Sequence, residues 1–237
     1  MTGMKSPLVR IAAALAALAL SWPAAGADRG APIDTSASNL IVVLRESRGD
    51  NKQDESLRPF GNVHGVLPDG REVQLDVSWY KFVGDLHLRL VFDGGQTMQS
   101  ASGEDLARLH LTADEAVKLA VSNLHRLYGA PSTQRWSGHL MQVQSDASDL
   151  NSSYFLDREF WRQLAAGHPE GIVAAVPRRG GLVYAPASDE EGVNELRFSA
   201  AALYAGGPGA RLSSALYLFK DGRWSVYERG FAEAGDQ

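Results

Sequence analysis

The 237-residue chain contains no cysteine. That excludes disulfides, thiolate zinc sites, haem attachment through cysteine and cysteine nucleophiles. A lipid-modified cysteine anchor is excluded on the same ground. Lysine is scarce, with five against 18 arginines, a bias that goes with a GC-rich bacterial source. Positive charge is in the minority overall, 23 basic against 28 acidic residues. No stretch gathers Lys and Arg into a patch, so nucleic acid, whose binding needs clustered cations, is not an expected partner. Anionic lipid headgroups are disfavoured for the same reason. Long apolar runs are also missing. The longest, Ile11 to Leu20, has ten residues and is too short for a permanent membrane span.

That run has a clear alternative meaning. Lys5 and Arg10 form a basic region before it, and Ala25-Gly26-Ala27 follows with a small-x-small pattern. The order is that of a secretory signal peptide, so cleavage after Ala27 and a periplasmic or secreted product are expected. The remaining 210 residues would carry 21 basic and 28 acidic side chains, a net charge of −7. Without disulfides, such a chain depends on its own core, which this length permits. No membrane anchor is expected after cleavage.

The hydrophobic pattern predicts an α+β fold: antiparallel-rich sheets packed with helices. Leu40 to Leu44 suits a buried strand. Arg45 to Pro59 is charged and reads as an exposed loop. Pro68-Asp69-Gly70 is a turn, because proline presets one φ and glycine accepts a positive one. Glu72 to Val77 alternates, with Val73, Leu75 and Val77 on one face. Leu86, Leu88, Leu90 and Phe92 alternate likewise, which would put His87 on a solvent face. Thr112 to Tyr128 is the clearest helix. Thr112 and Glu115 make a capping box, the apolar stripe recurs at helical spacing, and Gly129 and Pro131 stop it. Residues 130–134 read as a linker.

The second half alternates more regularly. A strand over residues 139–143 and a polar loop over 144–151 precede a short helix capped by Asp157. Strands at 171–176 and 182–185 flank a hairpin loop, Pro177-Arg178-Arg179-Gly180-Gly181. Ser188 and Glu191 suggest a capping box for a helix to about Tyr204. A final hairpin turns at Lys220-Asp221-Gly222. The order β-α-β-β-α-β-β resembles a split βαβ unit with an added strand. Three regions are expected: a signal peptide at 1–27, an N-terminal α+β region at 28–133 and the split βαβ-like region at 134–237.

Several segments carry a family likeness. They are Leu111-Thr112-Ala113-Asp114-Glu115-Ala116 with Ser122-Asn123-Leu124, and Ser153-Tyr154-Phe155-Leu156-Asp157 through Trp161. Ala175-Val176-Pro177-Arg178-Arg179 and Leu218-Phe219-Lys220-Asp221-Gly222-Arg223-Trp224 complete them. Over roughly residues 111 to 228 the chain resembles the bacterial DUF1444 proteins. That resemblance implies an α+β fold and carries no reaction. The signal peptide departs from the cytosolic picture of that family.

Three residues stand out as candidate binding residues. Asn123 projects toward the apolar stripe of its helix, where a polar side chain needs a partner. It reads either as a ligand contact or as a core Asn bonded to nearby backbone. Arg178 and Arg179 occupy a hairpin tip beside glycines, where two guanidinium groups could clamp a carboxylate or phosphate or simply stand in solvent. Asp146, Asp149, Asn151 and Asp157 lack the order and glycine of an EF-hand, and Asp157 is explained as a cap. Asp189, Glu190 and Glu191 sit where a helix N-terminus favours negative charge. The six histidines show no ligand spacing, and no serine lies in a G-x-S-x-G elbow. No metal, cofactor or catalytic residue is therefore expected. The chain reads as a non-enzymatic binding or interaction module for a protein or small-molecule ligand. The alternative is a periplasmic hydrolase with a dispersed carboxylate, His and Ser site. An apolar cleft holding shifted titratable groups would favour the hydrolase, and an exposed apolar patch or groove the binding module.

Overall fold

The computed structural model describes residues 32–95, 97–206 and 210–231. The signal-peptide segment lies outside them. From Ile33 onward the described residues form one compact unit.

The first sheet is built from β1 (Leu40–Glu46), β2 (Arg58–Pro59), β5 (Trp79–Lys81), β6 (Leu86–Asp93) and β7 (Met98–Ser100). Its order is β1-β6-β5-β2, with β7 also pairing β6. All of these pairs are antiparallel. Between β2 and β5, β3 (Val63–Val66) and β4 (Glu72–Leu75) make a separate hairpin around the Pro68-Asp69-Gly70 turn. The alternation of β4 does not bury a face here: Leu75 is 40% exposed. A two-stranded ribbon lacks a layer to cover it.

Two helices follow. α1 (Gly103–Arg108) was not evident from apolar spacing, but Ser102 and Asp105 form a full capping box. α2 (Ala113–Tyr128) starts on the expected Thr112–Glu115 box and ends at Gly129, whose φ of 78° favours glycine. Ala116, Ala120, Asn123 and Leu124 are its buried residues.

The second sheet has six strands in the order β13-β12-β10-β11-β9-β8. These are β8 (Ser132–Ser137), β9 (Leu140–Gln144), β10 (Ile172–Arg178), β11 (Gly181–Pro186), β12 (Leu216–Lys220) and β13 (Arg223–Glu228). The expected linker at 130–134 thus runs into an exposed edge strand. Every pairing is antiparallel. It follows that β9 and β10 run the same way with β11 between them. β11 and β12 likewise run the same way with β10 between them. Two split β-α-β units therefore interlock, one crossing through α3 (Arg158–Ala165) and the other through α4 (Glu190–Ala205).

The alternation of β10 explains how both faces of this sheet are buried. Val173 and Ala175 join Val193, Leu196 and Ala200 of α4 in one cluster. Ile172, Ala174 and Val176 face the larger core, which also holds Leu40 to Leu44, Leu86 to Phe92 and the buried face of α2. A 3-10 segment, Ser148–Leu156, is the center of that core, and every residue from Leu150 to Leu156 is buried. Phe155 stacks on Trp224 with centroids 4.0 Å apart. Both buried indoles are satisfied by this segment: Trp161 Nε1 donates to Tyr154 O and Trp224 Nε1 to Phe155 O, each at 2.9 Å.

Helix capping shows one correction. Asp157 caps α3, its Oδ1 accepting from Phe160 N at 3.1 Å, as expected. The cap of α4 is Asp189, which accepts from Gly192 N, rather than Ser188. Asp189 can reach N–H groups at the dipole's positive end while bringing a full charge to it.

Candidate functional site

The loop between β10 and β11 is not a free tip. Arg179 N donates to Ala210 O, and Ser152 N donates to Arg179 O, both at 3.0 Å. Leu212 N and Ser213 N donate to Pro177 O and Val176 O. The loop is thereby fixed between the 3-10 segment and the chain leading into β12. Gly180 allows this close approach, since a Cβ there would lie 3.1 Å from Ser148 O. Beside this loop lies a cleft of about 930 Å³, within the usual size of small-molecule sites. Val43, Arg45, Trp136, Ser153, Arg178 and Arg179 are among its lining residues.

The two loop arginines have different surroundings. Arg178 is half-buried, and its Nη1 donates at 3.2 Å to Leu203 O in the last turn of α4. A cation there suits the negative end of the helix dipole. Arg179 is exposed and acts electrostatically on Arg45 and Arg89. Burial pushes the Arg45 guanidinium down to about 10, and Arg179 and Arg89 push in the same direction. Burial and Arg179 also lower Arg89. Arg45 Nη1 donates to Leu44 O at 2.7 Å. Among the described residues, no carboxylate pairs with Arg45, Arg89 or Arg179.

Arg89 is positioned by a histidine that the sequence pattern placed in solvent. His87 is 1% exposed, beneath the rings of Phe60 and Trp79 at 4.5 and 6.0 Å. Strand alternation separates it from the leucines, but the opposite sheet face is covered as well. Arg89 Nε donates to His87 Nε2 at 2.9 Å. Because an arginine N–H only donates, Nδ1 of His87 carries the ring proton and donates to Ser47 Oγ at 3.0 Å. Burial, followed by Arg89 and Arg45, drives the imidazole down to about 3, so it is neutral. The Arg89 guanidinium lies 3.5 Å from the centroid of Trp79, a cation–π contact. This fixes a cation without neutralising it.

One lining residue has a hydroxyl without a partner. Ser153 is 1% exposed, and its Oγ is buried with no hydrogen bond. Asp149, the one carboxylate among the lining residues, is exposed. Asn123 is not among the lining residues. Its amide nitrogen donates to Ala37 O at 2.9 Å and Leu40 O at 2.8 Å, tying α2 to the start of β1. That is the core role of an Asn on an apolar stripe, and losing it would orphan buried carbonyls at about 1–3 kcal/mol.

The remaining polar groups are engaged in holding the fold. Asn151 accepts from Ser145 Oγ, and Asp157 Oδ2 lies 2.6 Å from His125 Nε2. Among the described residues, no three His, Asp or Glu side chains come together as a metal site. Asp189 accepts its cap bond and lies 2.9 Å from His139 Nδ1. A second cleft of about 650 Å³ is charge-paired: Glu55 meets Arg158 at 2.5 Å and Glu159 meets Arg162 at 3.7 Å. Asp85 accepts from Ser213 Oγ at 2.6 Å and Tyr217 Oη at 2.5 Å, in a bonded cluster at the sheet junction.

Arg45, Arg89 and Ser153 were not singled out by sequence reasoning. A signal was present for the arginines, since each is a charge beside strand residues that are otherwise apolar. Ser153 had none, because a 3-10 segment buried on all sides has neither a helical nor a strand period.

No protein-family model matches the chain, and no curated protein or solved structure matches it either.

Proposed function

We propose that this chain is an exported, non-enzymatic binding module whose ligand site is the cleft beside residues 177–181. The observation that carries this reading is the cleft itself. It has ligand-sized volume, a rigidly held loop on one side, and an indole, Trp136, that is 37% exposed at its wall. Its lining residues include serines but no histidine to act as their base. The N-terminal signal pattern supports export. Among the described residues, no helix is long and apolar enough to cross a membrane.

Trp136 offers a direct test. The purified chain is titrated with neutral, cationic and anionic small molecules while tryptophan emission and melting temperature are followed. One chemical class should give a saturable emission change that is absent in Trp136→Phe. The same class should raise the melting temperature, because a ligand that binds only the folded state stabilises it by mass action. Catalytic turnover of the bound compound, or no saturable response from any class, refutes the reading.

A further inference from the structure

We propose that the ligand of this cleft carries two or more negative charges on oxygen, bound between Arg45 and Arg179. This rests on the cleft being a binding site and adds its chemical class. In a chain of net charge −5, the cleft concentrates cations. Both arginines of the second cleft, Arg158 and Arg162, are paired with carboxylates, whereas Arg45 and Arg179 have no carboxylate partner among the described residues. Arg89 does not line the cleft but lies within electrostatic range of both. The like charges disfavour one another until an anion enters. A single carboxylate would leave cations of the cluster uncompensated. A phosphate ester, a diphosphate or a di- or tricarboxylate would not.

Part of the site is organised before any ligand arrives. The backbone of Arg179 is bonded on both sides, Arg45 is held by Leu44 O, and Arg89 is fixed by His87 and Trp79. Each guanidinium has five N–H donors, so these contacts leave donors for oxyanions. Preorganisation of this kind reduces the cost of binding. The volume exceeds what a bare anion needs, and Met98, Trp136, Leu150 and Val183 offer apolar surface to an organic body.

The test is calorimetric titration of the full chain at fixed ionic strength with pyrophosphate, citrate, acetate and glucose. Pyrophosphate or citrate should bind at least about tenfold more tightly than acetate, and glucose should not bind. Which of the two binds more tightly tells phosphate from carboxylate recognition. Arg179→Ala should weaken that binding by about tenfold or more. Arg71→Ala, on the exposed β3–β4 turn, should bind like the parent chain. Equal binding of acetate and citrate, or equal losses in Arg179→Ala and Arg71→Ala, would overturn the proposal. Saturable binding of glucose alone overturns it while keeping the cleft as a binding site. No binding by any probe, together with silence in the tryptophan titration, overturns both.

Discussion

The two main sheets differ in what they bury. The six-stranded C-terminal sheet buries apolar side chains on both faces, against α4 on one side and the 3-10 segment on the other. The N-terminal sheet also covers both faces, one of them leucine-rich. On the other it places His87, Arg45 and Arg89 among Val43, Trp79 and Val91, as the pairing register requires. Buried charge without a carboxylate partner contributes nothing to stability in the free protein. The C-terminal sheet is therefore the structural one. The polar face of the N-terminal sheet retains groups whose value lies elsewhere, next to the cleft.

Truncation in the C-terminal sheet gives the sharpest contrast. Trp224→Ala removes the ring stacked on Phe155 and contacting Trp161 and Phe219. It should cost about 3–5 kcal/mol in denaturant melts. A loss below about 1 kcal/mol would erase the distinction between the sheets.

Acid should act mainly on the N-terminal sheet. His87 is held neutral, with its folded pKa near 3, below the ordinary 6.5 of the unfolded chain. Between these values the unfolded state binds a proton that the folded state does not. The stability from this group is full above about pH 6.5 and declines as pH falls toward 3, with on the order of 3 kcal/mol lost by pH 4. Melts at pH 7 and pH 4 should show that limb in the parent chain and a flatter one in His87→Phe. Identical slopes would mean that His87 is not the buried neutral base described here.

The smallest effect should have the opposite sign. Arg45→Met removes a desolvated cation that Arg89 and Arg179 repel, while keeping the length of its stem. We expect a gain of about 1 kcal/mol. A clear loss of stability would show that Arg45 serves the fold, and the contrast between the sheets would narrow.

Much of the architecture was legible where one physical signal sufficed. The capping box of Thr112 and Glu115, the Asp157 cap and the hairpin around Lys220-Asp221-Gly222 are local, so short sequence windows contain their cause. The β10–β11 hairpin was legible for the same reason, and with it the position of Arg178 and Arg179. The site was legible only in those two residues. Arg45 read as the start of an exposed loop, yet it is a half-buried residue of β1, because pairing with β6 continues to Glu46. His87 read as solvent-facing because alternation identifies two faces without saying whether something covers the second.

The sequence by itself determined the α+β class, the main helices and hairpins, and the absence of thiol chemistry, since these follow from composition and near-neighbour periodicity. The tertiary structure alone decided which strands share a sheet. It decided that residues 148–156 form the center of the core, and that Arg45, Arg89 and Arg179 act on one another beside a buried, unpartnered Ser153. Those facts depend on contacts between residues far apart in the chain. No local pattern encodes which layer covers a strand or which distant charge ends up beside another.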